Sequence, residues 1–199
     1  MELLFERNAR FLFRSSHATD TIIEAIIGLG SNKGNRQDFI RRALSLIKTT
    51  RGLVLKDVSS VYESPAHVMP GAREQADFLN AVCAVDTKLS PEELLTACLA
   101  IETKCGRTRT PDSRWESRTL DLDILLYGNI SLSSGNLTIP HGRIAGRNFV
   151  LVPLAEIRPD LHIPAPIDTS VQYLLNQCPD TGALHLVSSR ASLLGDEII

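Results

Sequence analysis

Residues 119–128 read TLDLDILLYG. Polar and apolar residues alternate from Leu120 to Ile124 and the alternation stops at Leu125, which predicts a strand with one open face at its start and full burial at its end. Successive side chains on a strand point to opposite faces, so Asp121 and Asp123 share one face while Leu120, Leu122 and Ile124 share the other. Two like charges a few ångströms apart repel unless a cation lies between them. Paired carboxylates suit Mg²⁺, which takes one or two protein carboxylates and fills its other positions with water and substrate phosphates. A surface strand with two solvated aspartates has the same pattern, so the pair needs its surroundings to decide it.

Those surroundings are basic. Arg107, Arg109, Arg114 and Arg118 come just before the acids, with Trp115 among them. Guanidinium forks match phosphate oxygens, and an indole stacks on a flat ring or on a guanidinium. Cations beside a two-acid site describe a polyphosphate–Mg²⁺ pocket, against the alternative of a solvated basic loop.

Working toward the N-terminus, Ser90-Pro91-Glu92-Glu93 supplies an N-cap serine, a proline at the first helical position and acids in the first turn. The helix it opens runs through Leu94, Leu95, Cys98 and Ile101 to about Lys104, with Gly106 as the stop. Leu53–Tyr62 and Phe78–Thr87 are valine-rich and alternate, so each reads as one strand. Between them, SPAHVMPGAREQAD, residues 64–77, reads as a long loop. Asn35–Lys48 has helical periodicity, and Ile22–Leu29 reads as a buried strand running into a turn at Gly28, Gly30 and Ser31. GLGSNKG, residues 28–34, imitates a dinucleotide fingerprint with Asp57 as its acid, but its third glycine comes one residue late, and no P-loop occurs.

Beyond the decisive strand, residues 130–157 read as a hairpin and loop carrying Ile139-Pro140-His141, Arg147 and Phe149, then a short apolar segment. Pro159, Pro164 and Pro166 follow. The order strand, helix, strand, strand, helix, strand predicts an α+β fold with a ferredoxin-like βαββαβ core, an antiparallel sheet with helices packed on it, and long catalytic loops. Residues 1–21 are expected to be a flexible N-terminal extension, 22–166 the catalytic domain, and 167–199 a C-terminal segment packing on or trailing it.

Composition bounds the function. The 199 residues are 43% hydrophobic and 22% charged with a formal net charge of −2, ordinary values for a globular protein. One local basic cluster on a near-neutral chain suits a small anionic ligand rather than a nucleic acid. No apolar run approaches the roughly 20 residues a membrane helix needs. Cys83, Cys98, Cys105 and Cys178 form no CxxC pair, which reads as reduced thiols in a cytoplasmic protein.

Taken together, GLGSNKGN, VSSVYESP, DFLNAV, RWESRTLDLDILLYGN and IPHGRIAGRNFVLVPLAEI resemble the 6-hydroxymethyl-7,8-dihydropterin pyrophosphokinase family, in the same order and at similar separations, over about Ile22 to Pro164. The resemblance implies an ATP-dependent diphosphokinase of folate biosynthesis that moves the β,γ-diphosphate of ATP to the pterin hydroxymethyl oxygen and releases AMP. It implies that Asp121 and Asp123 hold two Mg²⁺ ions and that Arg107 and Arg118 neutralise charge. Glu102, Arg109, Trp115, His141 and Arg147 would meet the nucleotide. Phe78 and Phe149 would sandwich the pterin, Asn80 would bond its amide-like edge, and Gly30, Ser64 and Pro65 would complete that pocket. A neighbouring folate-pathway enzyme is a candidate partner, with fusion or association left open by the sequence. The chain departs from the family pattern at Glu116-Ser117, where Gly-Pro is usual, at Gly142, where a tyrosine is common, and at Leu99, where the family has a polar residue. These departures motivate a second reading, a binding module without catalysis; the glycine turn with Asp57 motivates a third, a nicotinamide-dependent reductase.

Overall fold

The computed structural model describes residues 21–66, 75–108 and 117–194. Ile23–Ser31 form β1, Arg36–Thr49 α1, Leu53–Val58 β2, Val61–Ser64 β3, Phe78–Thr87 β4, Pro91–Lys104 α2 and Asp121–Tyr127 β5. β1 lies between β4 and β5, β2 and β3 both pair with β4, and every pairing is antiparallel. With β2 and β3 counted as halves of one broken strand, this is the ferredoxin-like strand order.

The break corrects the expectation of a single strand over Leu53–Tyr62. Ser59 and Ser60 take over the hydrogen bonding there. Ser59 Oγ accepts from Val82 N at 2.9 Å and donates to Ser60 O at 2.8 Å, while Ser60 N and Oγ donate to Glu156 at 2.9 and 2.8 Å. Side chains that bond nearby backbone compete with the ladder. A second correction concerns β1, which continues through Gly28 and Gly30 to Ser31 instead of turning at the glycines.

α1 and α2 cover one face of the sheet. Asn35 caps α1 by accepting from Asp38 N, and Ser90 and Glu93 cap α2 reciprocally in a capping box. Gly106, at φ +81, ends α2 in the left-handed region where glycine has no steric penalty. Ile40, Leu44, Ile47, Leu94 and Ile101 pack there against Leu29, Leu122 and Ile124. Each fully buried aliphatic chain contributes about 1.5–3 kcal/mol. The cysteines are free thiols, and burial pushes Cys98 up to about 12, so it is unreactive.

The opposite face carries a layer the sequence reading missed. Leu132–Ser134 (β6) and Leu137–Ile139 (β7) make the expected hairpin, but the apolar segment after it is a helix, α3, over Asn148–Ile157. Pro153 inside it argues against helix locally. Burial decides the matter: Val150, Leu151, Leu154 and Ile157 pack on Ile26, Val82, Ala84, Leu125 and Leu126. His162–Ile163 (β8), Thr169–Ser170 (β9), Val171–Asn176 (α4), His185–Ser188 (β10) and Arg190–Leu194 (α5) follow, and β10 pairs with β3 at the sheet edge. Asp57 accepts from Arg158 Nη1 at 3.0 Å and pairs with Arg190 Nη2 at 2.6 Å. With that acid engaged and the glycine turn absent, the nicotinamide reading loses both its supports. No helix among the described residues is long and apolar enough to cross a membrane.

Candidate active site

α3 covers only half of its sheet face. On the other half, Gly28 lies opposite Val82 and Asp123, and Gly30 lies opposite Asn80 and Asp121. Residues directly opposite on paired strands share a face. The glycines therefore make a side-chain-free floor between the Asn80 side and the carboxylates. A Cβ on Gly30 would stand 3.7 Å from Phe78, 3.8 Å from the Asn80 side-chain oxygen and 3.8 Å from Asp121 Cβ, filling the space where the two sides meet.

Above the floor is a cleft of about 820 Å³, open to solvent. Its apolar side is lined by Pro65, Phe78 and Phe149, with Ser64 and Asn80 between them. Asn80 is buried and donates to Ser64 Oγ at 2.9 Å. Asp121, Asp123, Arg118 and Arg147 line the charged side. The alternation expected of β5 is present, since Leu120, Leu122 and Ile124 are packed in the core beneath α1 and α2.

The two carboxylates have different surroundings. Arg118 Nη1 donates to Asp121 Oδ2 at 2.6 Å, and Arg107 Nη1 donates to Asp121 Oδ1. Burial by itself raises the Asp121 carboxyl, but the Arg118 and Arg107 guanidiniums outweigh it and hold the group below the usual carboxylate range. Burial, then the neighbouring Asp121, pushes Asp123 above that range, against the opposing pull of His141, Arg147 and Arg118. The Asp123 carboxylate accepts no hydrogen bond among the described residues.

Glu102 does not line the cleft. It is 1% exposed and accepts from Arg107 Nη1 at 2.6 Å and from Leu122 N at 2.8 Å, so it reaches the site through Arg107. His141 is set by a β-bulge. The β1–β5 register shifts so that Leu125 is unpaired, and His141 N donates to the Leu125 carbonyl at 2.9 Å. Its Nδ1 accepts from Arg143 N at 3.2 Å, which leaves Nε2 to carry the proton of the neutral ring. Burial holds His141 below the ordinary histidine value. Arg147 sits 5.5 Å over the Phe149 ring in a cation–π contact that joins the charged and aromatic sides. Arg109 and Trp115 lie outside the described residues, as do Arg114 and Glu116.

Among the described residues no cluster of three or more His, Cys, Asp or Glu could hold a metal unaided. Two carboxylates facing one cleft, one of them raised by burial and like charge, fit an ion such as Mg²⁺ that draws its remaining ligands from water and phosphate.

A model of the family 7,8-dihydro-6-hydroxymethylpterin-pyrophosphokinase (HPPK) matches residues 26–159. The chain belongs to this family. Among HPPK relatives, a 2-amino-4-hydroxy-6-hydroxymethyldihydropteridine pyrophosphokinase of Synechocystis is 41% identical over 75% of this chain and 74% of its own length. Proteins of the same name from Bacillus subtilis and Haemophilus influenzae are each 43% identical, over 67% and 72% of this chain and 77% and 86% of theirs. The HPPK-DHPS of Plasmodium falciparum, solved with pteroate, matches the fold with a TM-score of 0.64 at 14% identity, over 79% of this chain and 44% of that one. The chain thus spans less than half of that two-part protein.

Three residues beside the charged half of the cleft escaped the sequence reading: Gln75, which lines it, and Asn32 and Ser117, which contact one another behind it. Asn32 was visible in GLGSNKG, but the glycines there drew the comparison.

Proposed function

We propose that this chain transfers the β,γ-diphosphate of ATP to the hydroxymethyl oxygen of 6-hydroxymethyl-7,8-dihydropterin, in folate biosynthesis. The observation that carries this is the meeting, in one cleft, of an aromatic and amide-lined half with a half that holds two carboxylates and the guanidiniums of Arg118 and Arg147. The first half suits a flat, hydrogen-bonding ring; the second suits a metal-bound polyphosphate.

Phe78 and Phe149 stack on the two faces of the pterin, and Asn80 bonds its amide edge, with Gly30 leaving room for the ring and Ser64 and Pro65 closing the pocket. Asp121 and Asp123 hold Mg²⁺, two ions by the family resemblance. Mg²⁺ held there would neutralise polyphosphate charge and make the β-phosphorus more electrophilic. Arg118 and Arg107 grip phosphate oxygens as charge shifts to the α-phosphate, with Glu102 orienting Arg107, while His141 and Arg147 hold the triphosphate. Arg109 and Trp115 belong to the same nucleotide side by resemblance. The pterin oxygen forms a bond to the β-phosphorus, the bond from that phosphorus to the bridging α-oxygen breaks, AMP leaves, and one proton is released. Such transfer needs placement and charge stabilisation more than covalent chemistry from the protein.

The reading includes a cytoplasmic location and a folate-pathway enzyme as partner, the latter supported by the fused architecture named for the HPPK-DHPS structure. Incubation with ATP, Mg²⁺ and hydroxymethyl-dihydropterin, followed by chromatography, is expected to give AMP only when all three are present. AMP formation that ignores the pterin, or none at all, would refute it.

A further inference from the structure

GLGSNKG does not make a dinucleotide turn, yet its asparagine is buried and fully engaged. Asn32 is 2% exposed. It binds both ends of the Arg118 peptide group pair: its backbone N donates to Arg118 O at 3.1 Å, and its side-chain Oδ1 accepts from Arg118 N at 2.7 Å. The other end of the same amide, Nδ2, faces Gln75 Oε1 at 3.2 Å, Ala76 O at 3.4 Å and Ser117 Oγ at 3.4 Å. One planar side chain thus joins the segment before β4 to the segment before β5. Gln75 and Arg118 both line the cleft, and Arg118 carries its guanidinium onto Asp121.

Neighbouring contacts stiffen both ends. Arg36 Nη1 donates to Asp77 O at 2.7 Å and pairs with Glu63 at 2.8 Å, and Ser31 Oγ donates to Thr119 O at 2.6 Å. Asparagine fits this place because it offers an acceptor at one end and two donors at the other. Aspartate would keep the acceptor toward Arg118 N but set oxygen against Gln75 Oε1 and Ala76 O.

We propose that Asn32 is a positioning residue that couples the Gln75–Asp77 segment, which leads into Phe78 on the apolar side of the cleft, to Arg118, so that a ligand ordering that segment also fixes the guanidinium that meets the phosphates. Coupling of this kind is reciprocal: each substrate strengthens the binding of the other by the same factor. The consequence for substrates rests on the diphosphokinase reading; the structural link does not.

Two measurements separate the link from that reading. In the first, amide hydrogen exchange at Arg118 is followed by NMR without ligands. Gln75→Ala is expected to speed that exchange about threefold or more in the parent protein and to add nothing in an Asn32→Ala background. An Arg118 amide indifferent to Gln75→Ala overturns the coupling. In the second, the affinity for hydroxymethyl-dihydropterin is measured with and without Mg²⁺ and α,β-methylene-ATP. Asn32→Ala is expected to cut the mutual enhancement about fivefold or more while leaving the affinity for nucleotide alone within about threefold. Enhancement at the parent level overturns the proposal; equal loss of both single-ligand affinities marks a merely structural role and does the same. If Asn32→Ala does not fold, the isosteric Asn32→Asp is held to the same two criteria. A parent protein that binds neither substrate sinks the diphosphokinase reading, and the exchange measurement still decides the link.

Discussion

Asp121 and Asp123 differ by two positions and have opposite electrostatic surroundings, which gives them opposite effects on stability. Asp121 is held low, so it contributes stability above the ordinary carboxylate value that is lost as pH falls through its lowered pKa. Asp123 is held high, so its folded form binds a proton more readily than its unfolded form, and stability declines as pH rises from the ordinary carboxylate value through the raised one. In the metal-free protein at neutral pH, Asp123→Asn is therefore expected to raise the melting temperature by roughly 2–4 °C, the effect of about 1 kcal/mol at this chain length. Calorimetry across pH checks this: the gain should shrink as pH is lowered toward the carboxylate range. The facing of these two acids was legible because a strand's period of two fixes it. The roles of Glu102 and Asn32 were not, because their partners are Leu122 N, Arg107 and the Arg118 peptide, groups brought near by folding rather than by local pattern.

Elements were legible where their signals are local. The capping box of Ser90 and Glu93 is written in four consecutive residues, and it opens α2 where expected. Ser90→Ala is predicted to cost about 1 kcal/mol, lowering the melting temperature while leaving kcat unchanged, since neither Ser90 nor any residue of the first turn of α2 lines the cleft. Thermal denaturation with a parallel AMP assay checks both halves. The break between β2 and β3 and the helical state of residues 148–157 were not legible. In the first, serines divert the ladder to Glu156; in the second, packing on Ile26, Val82 and Leu126 outweighs Pro153.

Over the whole molecule, the βαββαβ order was readable because each element carries its own local periodicity or cap, although β1 pairs with the distant β4 and β5. The return of the C-terminal segment to the sheet edge was not, because its contacts are distant in sequence. Arg158 joins Glu24 and Asp57, which also takes Arg190, so one cluster links β1, β2, the end of α3 and α5. Arg158→Ala leaves two partly buried acids without this cation, and is expected to cost about 1–3 kcal/mol, read as a lower urea midpoint with an unchanged slope. An unaltered midpoint would mean the cluster adds nothing to the fold.

In the proposed reaction the two β5 carboxylates serve catalysis from one face. AMP formation by Asp123→Asn, at saturating ATP, Mg²⁺ and hydroxymethyl-dihydropterin, tests it most directly. The expected rate is about three orders of magnitude below the parent, in a protein that folds at least as stably; a rate within about tenfold of the parent would contradict it.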